Sequence, residues 1–169
     1  YVSFFFVVFP VSNHAFFSLD PSNNLLKFSP CATWSSHAET FGSQGGIVTH
    51  PYGLFVDSNS TLYVTDHVTG YVQIWLEDSS DPTMNVSGEM ISPYAVFSAL
   101  NGDVYVDNGY NYGRVVRYSS KNTTIRTRAM YINGSCFEIF IDLYGNIYCS
   151  LSGIHQVIRR LVNDNPNII

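Results

Sequence analysis

Apolar residues fall in short runs broken by Gly, Asn, Asp and Ser, and no window has the 3.6-residue period of a long amphipathic helix. Three of these runs repeat. PYGLFVDSNSTLYVTD (51–66), PYAVFSALNGDVYVDN (93–108) and CFEIFIDLYGNIYCSL (136–151) align, so that Phe55, Phe97 and Phe140 correspond, as do Tyr63, Tyr105 and Tyr148. Each is followed by another β-like run: YVQIW (71–75), RVVRY (114–118) and QVIRR (156–160). A fourth run follows at Thr83–Ser87 and at Thr124–Tyr131. Four short strands at a period of 42–43 residues is the arithmetic of a propeller blade. The runs are apolar at nearly every position, as expected of strands covered on both faces by neighbouring blades.

The pattern predicts innermost strands near 53–57, 95–99 and 137–142, hairpinned to 61–66, 103–107 and 146–150. Asn101-Gly102 and Tyr144-Gly145 read as two-residue turns, and Asn59-Ser60 takes the same place in the first repeat. That register pairs Phe55 with Val64, Phe97 with Val106 and Phe140 with Cys149. It sets Cys136 four residues, roughly 13 Å, from the partner of Cys149. A disulfide needs Cα atoms within about 7 Å, so the expectation is a buried thiol at Cys149 and no bridge to Cys136. No CxxC is present among the three cysteines.

The wording P-Y-G-L-F-V-D then L-Y-V-T-D, with Gly113-Arg114-Val115 after the second hairpin, resembles the NHL repeat. CATW, HPYG, NGDVYVDNG and LYGNIYCS are similar to uncharacterised NHL-repeat proteins of rotifers. The resemblance implies an all-β fold: a β-propeller segment of about three four-stranded NHL-type blades. The usual Gly is replaced by Ala95 and Glu138, the usual Asp by Ala99, and the usual Arg by Tyr71 and Gln156.

Residues 31–169 are assigned to the propeller segment, with repeats near 44–86, 87–129 and 130–169. Trp34 precedes Trp75 by 41 residues, so Cys31–Gly42 reads as the outer part of a preceding blade. Residues 1–30 open with YVSFFFVVF and read as an apolar leader, a membrane-anchor remnant, or a degenerate first blade. Three blades do not close a ring. The expectation is therefore a fragment that meets the remaining blades of its own protein, or a chain that self-associates.

Charged residues are only 12% of the chain, and the net charge is −5. Residues 1–113 carry ten acids and one base, Lys27, whereas 114–160 carry seven bases and two acids. The basic residues Arg114, Arg117, Arg126, Arg128, Arg159 and Arg160 fall on outer strands. Lysine is nearly absent, so nucleic acid is not the expected partner. No hydrolase, phosphate-loop or dinucleotide motif is present. His50, His67 and His155 lack a partner at metal-ligand spacing, and Glu77-Asp78-Ser79-Ser80-Asp81 lacks a calcium-loop pattern. Asp57 and Asp142 sit where a carboxylate bonds a turn backbone. No cofactor and no metal is expected, and the chain reads as a binding or scaffold module, not an enzyme. The resemblance leaves two alternatives, a metal-dependent propeller enzyme of the lyase or lactonase kind and an RNA-binding NHL domain.

Four sequons, at Asn59, Asn85, Asn122 and Asn133, agree with the apolar start in pointing to the extracellular space or cell surface. In a four-stranded blade the loops joining strands two to three, and each blade to the next, open on one face. That face carries Tyr52, His67, Tyr94, Tyr110 and Tyr112, the candidate contacts for a protein or glycan partner.

Overall fold

A computed structural model describes residues 24–26, 28, 30–38 and 48–161, except 89, 110 and 112. The described residues form eleven strands: β1 (Pro51–Val56), β2 (Leu62–Asp66), β3 (Tyr71–Trp75), β4 (Met84–Val86), β5 (Val96–Ser98), β6 (Val104–Asp107), β7 (Arg114–Ser119), β8 (Asn122–Tyr131), β9 (Glu138–Ile141), β10 (Ile147–Leu151) and β11 (Gln156–Arg160). They make three antiparallel meanders ordered β1-β2-β3-β4, β5-β6-β7-β8 and β9-β10-β11. The innermost strands β1, β5 and β9 pack in succession, which stacks the sheets as propeller blades.

One core runs through all three blades. Val72, Val86, Val96, Phe97, Val106, Val115, Ile139 and Cys149 are buried in it. Burial of each such aliphatic side chain is worth about 1.5–3 kcal/mol. A second cluster, Leu62, Val64 and Trp75, lies on the other side of the first blade and packs with Val48, Leu54 and Val56.

The register differs by one residue from that expected of two-residue turns. Phe55 pairs with Tyr63, Phe97 with Tyr105 and Phe140 with Tyr148. The cause is a three-residue turn in every inner hairpin. The amides of Asp57, Ala99 and Asp142 donate to the carbonyls of Thr61, Asp103 and Asn146. The last loop residue, Ser60, Gly102 or Gly145, is left-handed, with φ of 60°, 79° and 84°. Glycine serves at that position because it has no Cβ to clash there.

Cys136 and Cys149 are bridged, contrary to the expectation, with Cα atoms 5.5 Å apart. The register brings Ile139 opposite Cys149, one residue closer than anticipated. Phe137 donates to the carbonyl of Ser150 at 3.0 Å, although Glu138 already pairs with Ser150. Two residues thus face one, and the resulting bend turns Cys136 back over β10.

Trp34 does not repeat the role of Trp75. Trp75 is buried in β3, whereas Trp34 is 51% exposed on a segment without strand structure, its ring edge-on to Phe28 at 5.0 Å. Of residues 1–30, the expected leader, anchor or first blade, 1–23, 27 and 29 lie outside the described residues, as do 39–47.

Candidate functional site

Aligned repeats place Tyr52, Tyr94 and Phe137 at one position, just where the chain enters each innermost strand. The three rings stack across the blades. Tyr52 meets Tyr94 edge-on at 5.2 Å, and Tyr94 meets Phe137 at 4.6 Å. His67, in the turn after β2, closes the cluster at 4.6 Å from both Tyr52 and Tyr94. Tyr52 is 49% and Phe137 44% exposed, while His67 and Tyr94 are half-buried.

Local chemistry holds each ring. The buried Asp66 carboxylate accepts the amides of Thr49, Val68 and Thr69 and the Thr49 hydroxyl, so it ties the chain before β1 to the turn that carries His67. Burial pushes the Asp66 carboxyl up, but these hydrogen bonds outweigh it and hold the pKa below the usual carboxylate range. The His67 amide donates to the carbonyl of His50 at 2.9 Å. Gly53 lets the next blade approach, because a Cβ there would lie 2.4 Å from the carbonyl oxygen of Tyr94. Burial raises the phenol of Tyr94, helped by Tyr52 and Asp107.

Below the rings runs a second row of corresponding residues, Thr65, Asp107 and Ser150, at the ends of β2, β6 and β10. Thr65 accepts the Gly53 amide at 2.6 Å and donates to the carbonyl of Tyr94. Asp107 is fully buried between the second and third blades.

Of the expected contacts, Tyr52, His67 and Tyr94 come together. Tyr110 and Tyr112 lie outside the described residues. Phe137 and Asp107 were missed in the sequence. The signal for both was the repeat itself, since Phe137 aligns with Tyr52 and Tyr94, and Asp107 with Thr65 and Ser150.

The remaining candidates are dispersed. Among the described residues no three His, Cys, Asp or Glu side chains gather as a metal site. Asp57 and Asp142 bond their own turns. Asp57 accepts the amides of Asn59 and Thr61 and the Tyr63 hydroxyl, and Asp142 those of Tyr144 and Asn146 and the Tyr148 hydroxyl. Three of the arginines serve separate partners. Arg117 lies 3.4 Å from Asp103, Arg128 stacks over Tyr131, and Arg160 reaches the carbonyl of Ala129. Asn59, Asn85, Asn122 and Asn133 are all exposed.

Solved propellers share this architecture. The WD40 β-propeller domain of Doa1 superposes with a TM-score of 0.58 at 17% identity, covering 79% of this chain and 43% of that one. Streptogramin B lyase superposes with a TM-score of 0.50 at 13% identity, covering 68% and 41%. The chain spans less than half the length of either, and at such identity the likeness shows the β-propeller fold alone. No protein-family model and no curated protein matches the chain.

Proposed function

We propose that this segment is an extracellular or cell-surface binding module, built of NHL-type blades, that captures a protein or glycan partner on the face carrying Tyr52, His67, Tyr94 and Phe137. The observation that carries the reading is the four-ring cluster, with two rings about half exposed at the mouth of the blades. Stacked aromatics are preorganised, so little conformational entropy is lost when a partner covers them. Aromatic rings of this kind dominate binding energy at protein interfaces.

The test is a paired screen of the chain on a displayed peptide library and a glycan array, with two variants alongside. Tyr52→Ala with Phe137→Ala removes the exposed rings. Leu100→Ala with Tyr144→Ala alters the opposite face, where both side chains are also exposed. Ligands of the unmodified chain should lose at least about tenfold in affinity with the first pair, as expected of hot-spot aromatics, and keep affinity with the second. The reverse pattern would move the site to the hairpin face.

A further inference from the structure

The seam between the first and second blades is closed by a neutral side chain. Thr65 satisfies the Gly53 amide and donates to the carbonyl of Tyr94. At the corresponding place in the next seam stands a carboxyl group. Asp107 is fully buried; its Oδ2 accepts the Gly109 amide at 3.2 Å, while among the described residues its Oδ1 meets no donor in good hydrogen-bond geometry, so the amides of Tyr94 and Cys136 act on the carboxyl only weakly.

Among the described residues no basic side chain acts on the Asp107 carboxyl. Ahead of β5 stands Tyr94, whose phenol is itself raised. After β6 comes Gly109, and β7 places the apolar Val115 opposite. Ahead of β9 come Ser135 and Cys136, the latter held in the disulfide. Arg114 opens β7 and Glu138 opens β9, and neither contributes to the shift of Asp107. Burial pushes this carboxyl up to about 7, against the pull of the amides of Cys136, Gly109 and Tyr94. Two of those amides belong to the residues that set the ladder, Tyr94 itself and the neighbour of Phe137.

We propose that Asp107 is a pH-sensitive latch on the aromatic ladder. With a proton on Asp107 the second and third blades close dry and hold Tyr94 on Phe137. Without it the buried charge draws water into the seam and loosens that contact. The inference concerns regulation of the site assigned above, but the ring contact itself is observable with no ligand present.

The experiment is aromatic NMR of the unliganded chain from about pH 5.5 to 8.5, a window centred on the expected titration. The Tyr94 and Phe137 ring resonances should move together with one midpoint near 7. Asp107→Thr installs the first blade's own solution and should abolish the transition. Asp107→Asn, which keeps the shape and removes the charge, serves if the threonine variant does not fold. His67→Gln should leave the midpoint in place. A transition that persists without the carboxyl, one that disappears with His67, or flat resonances across the range would each overturn the proposal. Loss of partner binding in the ring variants bears on the binding site and not on this titration.

Discussion

Phe55 and Phe97 occupy the same position in successive blades, and their ring centroids lie 4.6 Å apart across the seam. Phe97 then meets Phe140 of the third blade at 5.7 Å. Phe97 is buried between the two. Phe97→Ala should therefore open a cavity that touches both seams, costing about 3–5 kcal/mol. Chemical denaturation checks this. An unchanged midpoint would mean that the seams do not depend on the inner rings.

The blades were legible in the sequence because their signal is repeated. Four strands per repeat and the inner hairpins follow from the three repeats and the runs after them read against one another; of the three corresponding rings that this reading buries, Phe55 and Phe97 are buried, whereas Phe140 in the third blade is half-buried. The register was harder to read, because Asn101-Gly102 suits a two-residue turn and a three-residue turn ending in a left-handed glycine equally well. That single residue decides which side chains oppose one another. The same ambiguity hid the disulfide, which also required a bend at Phe137 that no residue type announces. Three of the four rings of the candidate site, Tyr52, His67 and Tyr94, were readable from their place on the loops of one face. Phe137 escaped because it breaks the tyrosine pattern. Asp107 escaped because its surroundings, not its type, make it unusual.

The Cys136–Cys149 bridge should appear as a linked peptide pair in a non-reducing digest. It closes a sequence separation of 13 residues. Loop entropy for a closure of that size is worth about 3 kcal/mol. The double variant Cys136→Ala, Cys149→Ala should lose stability of that order, and a reductant should add nothing further to the loss. Because Phe137 adjoins the bridge, the variant should also broaden the Phe137 resonances. A stability unchanged by both treatments would show that the bend alone fixes this segment.

Two carboxylates give stability opposite dependences on pH. Asp107 is raised to about 7, so between the ordinary carboxylate pKa and 7 the folded chain keeps a proton that the unfolded chain has released. Its contribution therefore falls as pH rises through that window, by up to about 4 kcal/mol. Asp66 is lowered, so its stabilising contribution is present above the ordinary value and is lost as pH falls through its lower folded value. Urea midpoints should rise from strong acid to about pH 4, then decline toward neutrality. Asp107→Asn should remove the decline and be more stable than the unmodified chain at about pH 8, where the native carboxyl is ionised. An equal decline in both proteins would assign it to another group.

All four sequon asparagines are exposed, but their surroundings differ. Thr61 and Ser135, the hydroxyl residues of the Asn59 and Asn133 sequons, are buried. Asn85 sits within β4, paired with Gln73. Asn122 stands at the turn from β7 to β8, and its Oδ1 accepts both the amide and the hydroxyl of Thr124, which is exposed too. That turn opens on the face opposite the ladder, as does the hairpin carrying Asn59, whereas Asn133 lies between β8 and β9 on the ladder side. If the chain traverses a secretory pathway, Asn122 should be the best-occupied site, and its glycan should leave Tyr52, Tyr94 and Phe137 accessible. Expression in a secreting eukaryotic host, with endoglycosidase shifts compared for Asn122→Gln and Asn133→Gln, measures this. Asn122→Gln should remove the major shift without changing binding by the ladder. A secreted chain with no shift would remove the glycan argument. Occupancy confined to Asn133 would place the glycan beside Phe137 and argue that the opposite face is the one kept free for a partner.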